Sequence, residues 1–163
     1  ISLSKSVGGG IPLGITLANK KIQDWPPGSH ANTFGGNLIA CASGIATLEY
    51  MKKHNLASNA SKLGKYIKSR LFEMQDKYSL IGDVRGIGLM IGIELVKNRR
   101  TKEIAKKERD KVLYKCFNKG LVLLGAGFSV IRLCPPLIIN KSHADKALDI
   151  LEQSIKEVQN EYH

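Results

Sequence analysis

The chain has 163 residues, 43% of them apolar and 24% charged, with a net charge of +11. That is the length of one ordinary domain, able to bury a core without disulfide staples, and no apolar run approaches the roughly 20 residues of a membrane-spanning helix. The basic balance does not by itself define a nucleic-acid binder. Lysines fall at Lys62, Lys65 and Lys68, at Lys102, Lys106 and Lys107, and at Lys111 and Lys115, on expected helix faces with acids interspersed, and neither aromatic interleaving nor zinc-finger spacing accompanies them.

In chain order, Ile1–Leu3 reads as the end of a strand, Gly8–Gly10 as a loop, and Ile11–Ala18 as a second strand. The start lacks a Met and a basic-then-apolar signal segment, so a fragment or processed piece is expected. Trp25-Pro26-Pro27-Gly28 is a rigid turn, followed by a polar irregular stretch, Ser29–Gly36. A helix is expected from Leu38 to Lys53, with a face of small residues at Ala40, Ser43, Gly44 and Thr47. A second runs from Leu56 to Lys77 with Leu63, Ile67, Leu71 and Met74 at helical spacing, and Leu56–Ser58 is a possible break between the two.

From Leu80 to Val96, glycines alternate with branched apolar residues, a strand composition with close backbone contacts. A charged helix is expected over Lys102–Asn118, with Gly120 just past its end. Short strands follow at Leu121–Leu124 and at Val130–Cys134, the latter stopped by Pro135-Pro136. Ser142, with Asp145 three residues on, reads as the cap of a last helix whose stripe is Ala144, Ala147, Leu148, Leu151, Ile155 and Val158. The first part is thus loop-rich, and the second reads as a compact βαββα-type unit.

Cys41, Cys116 and Cys134 form no CxxC and sit among apolar neighbours, which suits small hydrophobes in a reducing compartment. His30, His54, His143 and His163 show no metal spacing, so no metal is expected.

A few residues stand out chemically. Lys5 ends an apolar and small run beside glycine-rich backbone, a setting in which a lysine can meet a planar aldehyde cofactor as a Schiff base, although a lone lysine is more often solvated. Thr33, with the backbone of Phe34–Gly36, can donate to an anion or can sit in an ordinary turn. Arg132 alternates with Ile131 and Leu133 and so points to the other face of its strand. A guanidinium there can hold a carboxylate bidentately, or can serve as an edge-strand cation. Arg85 has Asp83 two residues away on the same face, which favours a structural pair; Glu94 is given no chemistry. Gly8–Gly10 can form an anion nest but more simply gives room.

Four segments in order carry a family resemblance: Ser4-Lys5-Ser6-Val7-Gly8-Gly9-Gly10-Ile11-Pro12-Leu13-Gly14; His30-Ala31-Asn32-Thr33-Phe34-Gly35-Gly36-Asn37 with Ala40-Cys41-Ala42; Val84-Arg85-Gly86-Ile87-Gly88-Leu89-Met90-Ile91-Gly92-Ile93-Glu94-Leu95; and Val130-Ile131-Arg132-Leu133-Cys134-Pro135-Pro136-Leu137. Together they resemble the class III pyridoxal-phosphate-dependent aminotransferases over the whole chain. The resemblance implies an α/β fold of the fold-type I pyridoxal-phosphate transferases, with residues 1–55 as the end of the large cofactor-binding domain, 56–78 as a connecting helix and 79–163 as the small C-terminal domain. It implies pyridoxal 5′-phosphate as cofactor, Lys5 as its Schiff-base lysine and proton shuttle, Thr33 and Phe34 as phosphate contacts reaching across a homodimer interface, and Arg132 as the substrate-carboxylate anchor.

The subgroup most resembled transaminates ω-amino acids such as 4-aminobutyrate with 2-oxoglutarate as acceptor; acetylornithine and ornithine aminotransferases are the alternative. The implied partners are small amino and keto acids, with neither nucleic acid nor membrane, in the cytoplasm. The enzymes resembled are more than twice this length, so an N-terminal segment bearing the rest of the cofactor site is expected upstream, and this chain alone is expected to be inactive. A truncated, non-catalytic domain that contributes a dimer surface is the alternative of another class.

Overall fold

Residues 1–161 are described in the computed structural model, and they divide after Asn55 into two units. In the first, β1 (Ser2–Leu3) pairs antiparallel with β2 (Ile15–Thr16), Ser2 opposite Thr16 and Leu3 opposite Ile15. The strand expected over Ile11–Ala18 is therefore much shorter. Its start is drawn into a turn, where the Ile11 N–H donates to the Gly8 carbonyl at 3.0 Å, and Pro12 has no N–H to give a ladder. Lys5–Gly8 is a 3-10 turn that runs into the loop expected at Gly8–Gly10.

Helix α1 (Leu38–Lys53) lies where its sequence placed it. The Asn37 side chain caps it by accepting the Ala40 N–H at 3.0 Å. Ala40 and Gly44 are buried, with Ser43 and Thr47 half-buried on the same small face. The helix ends at His54 and Asn55 turns left-handed (φ 48°), so the break precedes Leu56 instead of falling within Leu56–Ser58. Asparagine tolerates that conformation better than most residues.

The second unit comprises α2 (Leu56–Lys77), β3 (Ile81–Ile87), β4 (Met90–Asn98), β5 (Glu103–Ile104), α3 (Lys106–Asn118), β6 (Leu124–Ala126), β7 (Val130–Leu133) and α4 (Lys141–Asn160). The sheet is antiparallel in the order β3-β4-β7-β6, with β5 paired to the end of β4. Its alternation puts Ile81, Ile91, Ile93, Leu95 and Ile131 on one face, where they pack with Leu71 and Met74 of α2, Val112 and Cys116 of α3, and Leu151 and Ile155 of α4. Full burial of each such side chain contributes roughly 1.5–3 kcal/mol, an upper estimate. The opposite face carries a cross-strand row, Arg85–Gly92–Arg132–Leu124, each residue in register with the next.

Three boundaries differ from the sequence expectation. Helix α3 starts at Lys106, not Lys102. The Asn98 side chain accepts the N–H groups of Arg100 and Thr101, Lys102 turns left-handed (φ 56°), and Glu103–Ile104 folds back onto β4 as β5. Strand β6 falls at Leu124–Ala126 and not at Leu121–Leu124, because the turn through Gly127 (φ 51°) fixes Leu124 opposite Arg132. Helix α4 is capped by Asn140, whose side chain accepts the His143 N–H at 2.9 Å; Ser142 lies inside the first turn. Gly120 (φ 84°) closes α3 as expected, in a Schellman arrangement: its N–H donates to Phe117 and that of Leu121 to Cys116.

Candidate active site

Lys5 is the one non-glycine residue of the first unit's glycine-rich turn to adopt a left-handed backbone, with φ 60° after an extended Ser4. For a residue with a Cβ this conformation costs about 1–2 kcal/mol, so the surrounding contacts must hold it. The Gly9 N–H donates to the Ser6 carbonyl at 3.0 Å, and the Ser43 hydroxyl of α1 donates to the Gly8 carbonyl at 2.7 Å. Gly9 also needs to be glycine. It is left-handed (φ 59°), and a Cβ there would stand 2.6 Å from the Thr47 hydroxyl. The Lys5 side chain is exposed and makes no ion pair or side-chain hydrogen bond among the described residues. The Gly9 and Ile11 N–H groups are both bonded within the turn and so are not free to serve an anion.

Thr33 and Phe34 open the turn Thr33–Gly36 that leads into the Asn37 cap. The turn is closed by Gly35 N–H to Asn32 and Asn37 N–H to Phe34, each 3.2 Å, with Gly36 left-handed (φ 70°). Thr33 is exposed, its hydroxyl makes no hydrogen bond among the described residues, and Phe34 is 78% exposed.

In the second unit Arg132 is exposed on β7 and has no ion pair among the described residues. Arg85 differs sharply. Its guanidinium lies 2.6 Å from both Asp83 and Glu94, and the hydrogen bonds it donates, first to Asp83 and then to Glu94, push its pKa further up. The pair expected with Asp83 is present, and Glu94, given no role from the sequence, completes it. Arg85 is thereby occupied, whereas Arg132 has no such pair among the described residues.

Arg132 lines a cavity of about 650 Å³ whose walls are mostly apolar, including Leu121, Leu123, Leu133, Pro135, Ala147 and Leu148. Cys134 and His143 also line it, and neither was singled out from the sequence. The signals were there. Cys134 follows Arg132 by two residues, the strand repeat, and His143 precedes Ala147 by four, the helix repeat. Cys134 is exposed, contrary to the expectation of three packed cysteines; only Cys116 is fully buried, with Cys41 half-buried.

The fold is that of the pyridoxal-phosphate-dependent aminotransferases. An amine transaminase from an uncultivated Pseudomonas species, solved in its PLP-bound form, superposes with a TM-score of 0.89 at 29% identity, over 96% of this chain and 38% of that one. Residues 1–155 match the family described as Aminotransferase class-III, and the chain belongs to that family. Among curated relatives, the leucine/methionine racemase of Thermococcus litoralis is 42% identical over 98% of this chain and 36% of its own length. The acetylornithine aminotransferase of Clostridium acetobutylicum is 39% identical over 96% and 38% respectively. The chain thus spans a little over a third of the length of these relatives.

Proposed function

We propose that the chain supplies the cofactor lysine and the carboxylate anchor of a pyridoxal-phosphate-dependent aminotransferase. Residues 1–55 serve as the end of its cofactor domain, 56–78 as a connecting helix and 79–163 as its small domain. The observation that carries this reading is Lys5: an exposed, unpaired amine on a left-handed turn, within a segment that matches the family. The residues present suit the cofactor. Among the described residues they include an amine without a salt-bridge partner at Lys5, a hydroxyl without a hydrogen bond at Thr33 on an exposed turn beside Phe34, and a guanidinium without an ion pair at Arg132.

Pyridoxal phosphate, when bound, supplies the electron sink that makes the substrate's amine-bearing carbon acidic. Lys5 Nζ would hold the cofactor at its aldehyde end. The same Nζ would take the proton from the substrate's amine-bearing carbon as a general base and give it up again as a general acid. Arg132 orients the substrate by its carboxylate, with two parallel N–H donors. Thr33 would offer its hydroxyl, and Phe34 its backbone, to the phosphate of a partner subunit's cofactor in a homodimer. The donor is an ω-amino acid such as 4-aminobutyrate or acetylornithine, and 2-oxoglutarate is the acceptor.

The test is Lys5→Ala in an enzyme of the relatives' length that carries this segment, assayed with 4-aminobutyrate, ornithine and acetylornithine against 2-oxoglutarate. Loss of turnover and of borohydride-trapped cofactor supports the reading; activity that survives the substitution overturns it.

The 42% identity to a racemase favours a second reading, amino-acid racemisation. Lys5 would then remove the proton from the same carbon, and a donor on the opposite face would return it there. Inversion of an L-amino acid without any keto acid separates this from transamination.

A further inference from the structure

We infer that Ser43 is a positioning residue for Lys5: its hydroxyl bolts the lysine's turn to helix α1 and holds the amine in its strained direction. The inference rests on the reading of Lys5 as the cofactor lysine. Four observations within the first unit converge on it. The Ser43 hydroxyl donates to the Gly8 carbonyl, 35 residues earlier in the chain, at 2.7 Å, and Gly8 ends the 3-10 turn that begins at Lys5. Gly8 is buried, so this bond is shielded from water. Thr47 donates to the Ser43 carbonyl at 2.9 Å, and its hydroxyl stands 2.6 Å from where a Cβ on Gly9 would lie, so Gly9 and Thr47 fix how closely the turn approaches. Below them, a Cβ on Gly44 would fall 2.6 Å from Leu13 Cδ2, which locks the far side of the loop into the same helix face.

The turn's own hydrogen bonds, Val7 N–H to Ser4 at 3.5 Å and Gly9 N–H to Ser6 at 3.0 Å, close the backbone without tying it to a larger element. Ser43 supplies that tie. A hydroxyl is the right size here, because the small face of α1 admits no longer donor without pushing the turn away.

The experiment compares an enzyme of the relatives' length that carries this segment with its Ser43→Ala, Ser43→Thr and Gly9→Ala variants. Amide hydrogen exchange is read at Gly9 and Ile11, and pyridoxal phosphate is trapped with borohydride and mapped lysine by lysine. In Ser43→Ala, exchange at Gly9 and Ile11 should rise about fivefold, the effect of one net hydrogen bond, while amides in the middle of α1 stay protected. The share of label on Lys5 should fall relative to the other lysines. Ser43→Thr, which keeps the hydroxyl, should restore both. Gly9→Ala should disturb the same amides from the turn side and guards against a Ser43 variant that fails to fold.

Unchanged exchange in Ser43→Ala overturns the clamp. Faster exchange with an unchanged Lys5 share also overturns the positioning role, since the turn would then be held for its own sake. A label spread evenly over the lysines of the unsubstituted enzyme counts instead against Lys5 as the cofactor lysine, and leaves the clamp to be judged by exchange alone.

Discussion

Arg132 faces Gly92 across the β4–β7 ladder, so the guanidinium stem lies over a position with no side chain. A Cβ at Gly92 would already come within 3.2 Å of Val130, Arg132's neighbour on the same face. Glycine here keeps the arginine accessible. In an active enzyme of the relatives' length, Gly92→Leu and Arg132→Lys should each raise KM for the amino substrate about tenfold, the loss of one charge-assisted hydrogen bond. Arg85→Lys, at an arginine already held by Asp83 and Glu94, should leave KM nearly unchanged. Steady-state kinetics on the three variants decides this.

Gly64 carries the tightest approach in the second unit. A Cβ there would lie 2.0 Å from the Gly88 carbonyl oxygen at the β3–β4 turn, with backbone and no flexible side chain to yield. Gly64→Ala should therefore destabilise by about 3 kcal/mol. Gly120→Ala meets open space and only a left-handed backbone, and should cost about 1 kcal/mol. Urea midpoints of the two variants give the comparison.

The cysteines should label in order of exposure. Cys134 is exposed, whereas the Cys116 thiol is fully buried and burial pushes its pKa up, only partly offset by a hydrogen bond with Ser154. Iodoacetamide at neutral pH should modify Cys134 first, and Cys116 only once the chain is unfolded. Peptide mapping over time reads this directly, and early modification of Cys116 would refute the packing described for α3.

Acid should loosen α4. Lys119 and Lys115 hold the Glu157 carboxyl below its ordinary range, Lys115 and Lys111 do the same to Glu161, and Lys141 and Tyr66 to Asp145. Carboxyl groups with a lowered folded-state pKa stabilise the fold fully above the unfolded value of about 4, and the stabilisation is lost as pH falls through the folded values. Thermal midpoints should thus hold steady down to about pH 5 and fall below about pH 4. Glu157→Gln and Asp145→Asn should flatten that fall.

Long amphipathic helices were legible because their signal is repeated: Leu63, Ile67, Leu71 and Met74 state the buried face of α2 four times over, and its bounds follow. Boundaries set by a single side chain were not. Asn98 bends the chain by accepting two N–H groups, which turned an expected helical start into β5, and Asn140 won the α4 cap over the equally suitable Ser142. Lys5, Thr33 and Arg132 could be picked out by residue type and company. The left-handed backbone of Lys5 and the Ser43 bond that spans 35 residues could not, since both depend on how the turn meets α1. Likewise Asp83 was a visible partner for Arg85 at two residues, but Glu94 reaches it only through the β3–β4 register.

Helix α1 leaves large apolar side chains uncovered, with Leu38, Ile39 and Ile45 84%, 71% and 58% exposed. Its colloidal behaviour follows from that. Copies of the 163-residue chain repel one another through the net charge of +11, and added salt screens that repulsion while leaving the oily helix surface untouched. The chain should accordingly stay dispersed in dilute buffer and self-associate as ionic strength rises, the reverse of the salting-in expected for a protein held together by surface ion pairs.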